Sequence, residues 1–290
     1  MAGMRALPMT SPQRLVHLAL VFTAGLGMLV GLQVAQIHLT TDPLADVRAY
    51  YDAGARLNVG APLYDQAATT NEAEFYRYPP LLAILFRPLA ALPYDVAATV
   101  WMAVVVGSFL AILWRLGLSS RTWILVGFLG LPIGWALAIG QAHVPMTLLV
   151  LLGSPLALAL ATNLKVLPAL VAIWWIGRRD WRSLAWFAGS CAALAVAQLV
   201  LEPAGTIAFP GELLDFGQVG QVRNWSPYAV SPVLWAVLVT VGAVVALRLA
   251  PGRWGWAAAV ALSVLATPRL LLYQLMGLLA AGRPPGREGR

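Results

Sequence analysis

The sequence predicts an all-α fold, a polytopic transmembrane helical bundle, and three observations lead there. Of 290 residues, 60% are hydrophobic and only 11% are charged, against roughly a quarter charged in a soluble domain. Mean hydropathy is +0.76, and several apolar runs reach or approach the roughly 20 residues that cross a bilayer. The charges also alternate in sign along the chain. Basic residues cluster at Arg5/Arg14, Arg115/Arg121, Arg178/Arg179/Arg182, Arg248/Arg253 and Arg283/Arg287/Arg290. Asp42, Asp46, Asp52, Asp65, Glu72, Glu74, Asp95, Glu202, Glu212 and Asp215 fall in the alternate segments, and only Asp180 and Glu288 share a basic cluster. The positive-inside bias produces this pattern. The net charge of +7 therefore reports orientation and gives no support to a nucleic-acid partner.

Taken in order, the elements are these. The run of about 15–37 is too long for a signal h-region and lacks a small-x-small cleavage site, so it is expected as an uncleaved first span with the N-terminus cytoplasmic. An outer segment, 38–93, follows. Spans of about 94–116 and 122–139 come next. The stretch 144–176 is broken at Ser154-Pro155 and Leu167-Pro168, giving one span plus a re-entrant piece or three short crossings. Span 183–201 leads to a second outer loop, 202–228, and span 229–248 returns. The stretch 254–282 is interrupted at Thr267-Pro268-Arg269, and its basic flanks ask for two crossings. Broken helices at such depth are tolerated where protein or a polar cavity surrounds them. The expectation is a single domain over 1–282, with about seven to ten spans, and a disordered cytoplasmic tail, 283–290. The lone Cys191 lies in an apolar run and is read as a small packing residue.

The polar stretch after the first span holds the most chemistry. Asp42-Pro43 reads as an N-cap and N1 pair, and Asn58-Val59-Gly60 before Pro62 as a stop. Between them Leu44, Val47, Tyr51 and Ala55 would form an apolar stripe with Asp46, Arg48, Asp52 and Arg56 off it, an interfacial amphipathic helix. This helix is a solvated anchor on one reading. On the other, Asp46, in the first turn, is a general base that takes the proton of a sugar hydroxyl, an effect of roughly 10²–10⁴-fold. The proline-bracketed run from Tyr78 to Pro93 is too short to span comfortably and suits an interfacial or re-entrant helix.

The order of these features resembles a known family. An acid after span one is followed by Tyr50-Tyr51, Gly60-Ala61-Pro62-Leu63-Tyr64, Tyr78-Pro79-Pro80, Pro88-Leu89 through Leu92-Pro93, and a span bearing Trp101. Gly140-Gln141-Ala142-His143, the helix ending Lys165-Val166-Leu167-Pro168, and Thr267-Pro268-Arg269 through Tyr273-Gln274 continue the series. Together they resemble the integral-membrane glycosyltransferases of the GT-C superfamily, specifically glycosyltransferase family 87. That resemblance implies transfer of a hexose, mannose in the family, from a polyprenyl-phosphate donor to a lipid or glycan acceptor hydroxyl on the outer face of the plasma (inner) membrane. It implies Asp46 as the catalytic aspartate, with Asp42 and Asp52 as less well aligned rivals, and no cofactor.

Further candidates for substrate binding are Tyr50, Tyr51, Tyr78, Gln141, His143, Lys165, Arg223 and Arg269. Lys165 is the only lysine and lies deep in an apolar stretch, where an ionisable group either meets a partner inside the bundle or snorkels to an interface. Arg269 follows a span-breaking proline, and a guanidinium suits phosphate, although an Arg at a helix end is also a common structural feature. His143 is a polar group at the site or a solvated loop histidine, and Arg223 sits in an outer loop with amides and aromatics suited to a sugar. No His/Cys/Asp/Glu spacing of a metal site and no Gly-rich nucleotide loop is present, which favours a lipid-phosphate donor over a sugar nucleotide. The competing functions are a lipid-linked-sugar transporter or flippase, suggested by the broken helices, and an inactive member of the same family.

Overall fold

The computed structural model of the chain describes residues 11–64, 75–117, 119–214 and 224–282. Among them every regular element is helical, in the order α1 (Ser11–Thr41), α2 (Ala45–Asn58), α3 (Pro80–Phe86), α4 (Tyr94–Leu116), α5 (Ser120–Phe128), α6 (Gly130–Ala138) and α7 (His143–Leu152). There follow α8 (Pro155–Leu164), α9 (Ile173–Arg178), α10 (Trp181–Leu201), α11 (Pro203–Leu214), α12 (Pro232–Leu249) and α13 (Gly255–Leu265). Two 3₁₀ segments, Leu167–Ala172 and Leu272–Gly282, adjoin helix breaks. The chain is an all-α polytopic membrane protein.

Helices α1, α4, α10 and α12 are long and apolar enough to cross a bilayer, and α5 with α6 makes a fifth if the bent pair counts as one span. That pair turns by 67°. Pro132 supplies the cause, because it has no N–H to give Phe128 and its ring collides with that carbonyl. The remaining apolar stretches are short helices, broken where the prolines stand. On α4 the buried residues Ala98, Trp101, Val105, Ser108 and Ile112 recur every three or four positions and face the bundle, while Val100, Val104 and Leu110 on the other side are exposed. α1, α10 and α12 expose most of their apolar surface, as helices facing acyl chains do.

α1 docks on the bent pair through glycines. A Cβ on Gly27, Gly31, Gly127, Gly130 or Gly134 would overlap the backbone of the opposing helix. Close backbone approach through small residues is the means by which helices associate where no hydrophobic driving force exists between them.

Three tryptophans satisfy carbonyls left open near the breaks. Trp101 Nε1 donates to Gly140 O (2.7 Å), Trp235 Nε1 to Ala266 O (3.1 Å) and Trp256 Nε1 to Ala280 O (2.8 Å). An open carbonyl in this environment costs several kcal/mol. These indoles are therefore structural donors as well as apolar filling.

The first outer segment departs from expectation in three respects. Asp42 is not an N-cap. α1 runs on to Thr41, and the Asp42 carboxylate accepts from His38 Nδ1 and from the Thr41 hydroxyl, both at 2.7 Å. With that side chain engaged backwards, α2 starts at Ala45 behind Leu44, which takes the left-handed conformation (φ 56°). The expected stop is where it was placed, with Gly60 at φ +70° and Asn58 the last helical residue.

Second, the buried face of α2 is not the Leu44/Val47/Tyr51/Ala55 stripe. Val47, Tyr50, Ala53, Gly54 and Leu57 are buried, while Leu44, Tyr51 and Ala55 are half-buried. The helix packs on protein at its Tyr50 side, where Gly54 lies so close to the Phe86 backbone that a Cβ would collide with it. Third, the run from Tyr78 to Pro93 is two pieces, α3 and a 3₁₀ turn at Leu89–Ala91, divided at Arg87-Pro88. Leu81, Leu82, Ala83 and Phe86 are buried in the bundle.

Candidate active site

Each of the three breaks in the apolar stretches delivers polar side chains to one place beneath α2. The turn between α6 and α7 needs a left-handed residue, and Gly140 supplies it at φ +69°. The turn aims Gln141 inward, fully buried. α8 ends at Lys165, whose extended backbone (φ −159°, ψ 124°) precedes the 3₁₀ segment begun by Leu167-Pro168. The segment after α13 carries Arg269, then Tyr273 and Gln274.

Gln141 is the hub. Its Oε1 accepts from Tyr50 Oη and from Tyr78 Oη, each at 2.6 Å. Tyr50 Oη in turn accepts from the Ala142 N–H at 3.1 Å. Burial pushes both phenols above their ordinary range, so they stay protonated and act as donors. Tyr50 Oη also lies 3.4 Å from Asp46 Oδ1. A phenol has one proton, and the shorter contact to Gln141 takes it. The Asp46 carboxylate is left with no short hydrogen bond, and Gln141 Nε2 is buried without a partner.

Asp46 keeps a partly accessible side chain while protein surrounds it on its other sides. Burial pushes its pKa up to about 7, Asp42 adds to the rise, and the Gln141 amide, Lys165 ammonium and Tyr50 hydroxyl oppose it. A carboxylate poised near neutrality with free lone pairs is the state a general base requires. The sequence stripe places Asp46 off the apolar face of α2, whereas packing of the Tyr50 side draws it inward.

Lys165 Nζ lies 3.5 Å from His143 Nδ1 and 6.0 Å from the centre of the Tyr78 ring. The Gln274 amide satisfies both its ends when its oxygen accepts from Lys165 Nζ (3.0 Å) and its nitrogen donates to Arg269 O (3.3 Å), an orientation assigned from the network. Arg269 Nε is buried with no partner. Arg269 is held by its neighbours, since Asn224 Nδ2 donates to Pro268 O, Asn224 Oδ1 accepts from Leu270 N–H, and Trp225 N–H donates to Leu270 O. Under Lys165 and His143 lies a cavity of about 20 Å³, lined also by Thr147, Ser263, Thr267 and apolar side chains.

Of the residues picked from sequence, Asp46, Tyr50, Tyr78, Gln141, His143, Lys165 and Arg269 come together. Tyr51 does not. Its hydroxyl donates to Leu92 O (2.8 Å) and its ring meets Tyr94 edge-on, fastening α2 to the neighbouring turn. Arg223 lies outside the described residues. Tyr273 and Gln274 had been assigned no role; their place in the Thr267–Gln274 segment was the available signal. Tyr273 packs edge-on against Trp135 and His143 and stands within electrostatic reach of Asp46.

Comparison with known proteins gives the same direction. The model of glycosyltransferase family 87 matches residues 75–281, which include Tyr78, Gln141, His143, Lys165, Arg269, Tyr273 and Gln274 but not Asp46. A polyprenol-phosphate-mannose-dependent alpha-(1-2)-phosphatidylinositol pentamannoside mannosyltransferase of Mycolicibacterium smegmatis is 26% identical over 198 residues, covering 61% of this chain and 48% of the relative. A Mycobacterium tuberculosis protein with the same description is 24% identical over 229 residues, covering 67% and 51%. The chain thus spans about half the length of the curated relatives it matches. No solved structure matches it.

Proposed function

This chain belongs to glycosyltransferase family 87, and from that premise we propose that it transfers a hexose, mannose, from a polyprenyl-phosphate donor to an acceptor hydroxyl, with Asp46 as general base. The observation that carries the reading is the pairing of a poised carboxylate at Asp46, whose contact from Tyr50 Oη is long at 3.4 Å, with cationic groups at Lys165 and Arg269 in one polar cluster. The relatives' printed names supply the donor class.

The step is a single displacement with inversion. The acceptor oxygen attacks the anomeric carbon as its proton passes to Asp46. The bond from that carbon to the phosphate oxygen breaks, and the electron pair leaves with polyprenyl phosphate. Lys165 and the unpartnered edge of Arg269 meet the charge that develops on the phosphate, the kind of pre-positioned stabilisation that works best away from bulk water. Gln141 and the two phenols hold Asp46 in a dry, fixed setting, and Gln141 Nε2 is available to a sugar hydroxyl. The acceptor is a lipid or glycan, and the reaction takes place at the outer face of the plasma membrane with both termini cytoplasmic, as the alternation of loop charge suggests.

The test uses the full chain in lipid nanodiscs with labelled polyprenyl-phosphate-mannose and a membrane lipid extract, products being read by mass spectrometry. A mannosylated product formed by the wild type and lost in Asp46→Asn supports the proposal. Equal product from both proteins overturns the role of Asp46, and donor bound without any product favours an inactive family member.

A further inference from the structure

α10 exposes most of its apolar surface, and its two buried residues are Phe187 and Gln198. An amide in such a helix has to find every partner inside the bundle. Gln198 does so with both ends. Its Oε1 accepts from the Leu81 N–H (2.9 Å), and its Nε2 donates to Asn163 Oδ1 (2.8 Å) and to Leu194 O (3.1 Å). Leu194 belongs to α10 itself, whereas Leu81 lies in the first turn of α3 and Asn163 in the last turn of α8. Asn163 Nδ2 donates to Ala159 O (2.9 Å), so the second amide is held in turn.

Both outside contacts adjoin groups of the polar cluster. Leu81 follows Tyr78 by three positions, and Pro79-Pro80 between them are stiff because each ring locks its own φ. The Tyr76 hydroxyl, which accepts from the Ala83 N–H and donates to Pro79 O, braces the same turn. A shift of Leu81 is therefore passed to Tyr78, whose Oη donates to the Gln141 amide beside Asp46. On the other side Asn163 precedes Lys165 by two positions, and the Lys165 N–H still bonds to Ala161 O in α8. The Lys165 ammonium stands 6.0 Å from the centre of the Tyr78 ring. One side chain of α10 thus ties the segment that supports the base to the segment that carries a cation.

We propose that Gln198 is a positioning residue for the transfer, its amide setting the separation between Lys165 and the Tyr78–Gln141–Asp46 side of the site. The inference rests on the glycosyl-transfer reading, in which base and cation act on the bond that forms and the bond that breaks. Their separation counts in the transition state, where a misplacement of about 1 Å costs on the order of a hundredfold in rate. Lys165 alone can still meet a donor phosphate, so a loosened bridge lowers turnover and leaves donor affinity in place.

The experiment uses the full chain in lipid nanodiscs and three variants. Gln198→Met keeps the length of the side chain and removes its hydrogen bonds, and Asn163→Leu cuts the α8 arm alone. Phe187→Ala removes the other buried side chain of α10, about three turns away and packed on Trp175, and is the control for lost stability. Hydrogen exchange, read by mass spectrometry, should quicken about fivefold or more in Gln198→Met over both 78–86 and 161–166. Asn163→Leu should quicken 161–166 only, and Phe187→Ala neither. With labelled polyprenyl-phosphate-mannose, kcat of Gln198→Met should fall on the order of tenfold to a hundredfold, with donor KM within about threefold of wild type. Phe187→Ala should keep kcat even where its thermal midpoint falls as far. Unchanged exchange in both segments, unchanged kcat in Gln198→Met, or an equal loss of kcat in Phe187→Ala overturns the positioning role while the proposed activity stands. A wild type that transfers no sugar overturns the proposed activity and the positioning role with it.

Discussion

Tyr50 and Gln141 are 91 positions apart in the chain, and 2.6 Å separates the phenol oxygen of one from the amide oxygen of the other. Tyr78 reaches the same amide oxygen at the same distance. Two short bonds to one oxygen fix the amide plane and commit both phenol protons. The Asp46 carboxylate next to them keeps only weak donors, the Tyr50 hydroxyl at 3.4 Å and the Gln141 amide, and the reactivity proposed for Asp46 follows from that shortage.

Asp46→Asn keeps the shape and removes the base. Transfer should fall by roughly 10²–10⁴-fold, with donor affinity within about twofold of wild type. Single-turnover rates and donor binding, measured side by side, separate the two effects.

The pH dependence has a definite sign. Asp46 must be ionised to accept a proton, and its folded pKa is raised from 3.8 to about 7. The rate should therefore climb through about pH 7 and level off above it, and Asp46→Asn should lose that limb. Stability runs the other way. The folded state holds this proton more tightly than the unfolded chain, so its contribution is complete below pH 3.8 and is lost as pH rises towards about 7. Asp46→Asn should raise the thermal midpoint at pH 8, and the difference should vanish near pH 4.

Lys165→Ala removes an ammonium that contacts Gln274 and His143 and faces the Tyr78 ring. A charged hydrogen bond to a phosphate contributes about 1.5–3 kcal/mol, so donor KM should rise on the order of tenfold to a hundredfold. Titration with labelled donor at fixed acceptor reads it, and an unchanged KM would place the phosphate elsewhere.

Asn224→Ala should loosen the turn that carries Arg269. The side chain serves Pro268 O, Leu270 N–H and Ser226 N–H, and stranding such groups costs about 1–3 kcal/mol. Thermal unfolding in detergent should show the loss, and donor KM should rise with it. Asn224→Asp restores one acceptor and should recover only part of both.

Gly31→Leu places a side chain where the Gly130 backbone already lies. α1 cannot approach the bent pair closely with that side chain in place, so the yield of folded protein and its thermal midpoint should both drop. Gly25→Leu, with open space around its Cβ position, is the matched control and should change neither.

Hydropathy and charge were enough to place the long spans, because the cost of putting polar backbone and charge into lipid depends on local sequence alone. The expected span of about 94–116 is the helix Tyr94–Leu116. Breaks were equally legible at Pro155, Pro168 and Pro268, since a proline's missing N–H and fixed φ act on its own turn. The identities of Asp46, Gln141 and Lys165 stood out as polar groups in an apolar chain. The direction in which each helix faces did not. A helix that is apolar all round has no stripe to show which side meets protein, and α2, read by its stripe, turned out to bury its Tyr50 side.

What the sequence by itself determined, then, is that the chain lives in a membrane, where its helices stop, and which polar residues have to be accommodated. Only the tertiary structure decided that three breaks far apart in the chain meet beneath α2, that Asp42 turns back to His38 instead of capping α2, and that Tyr273 and Gln274 join the cluster. The reason is physical: a break exposes backbone and polar groups that lipid cannot satisfy. Each must find a partner in the bundle, and which partner it finds depends on how all the helices pack at once.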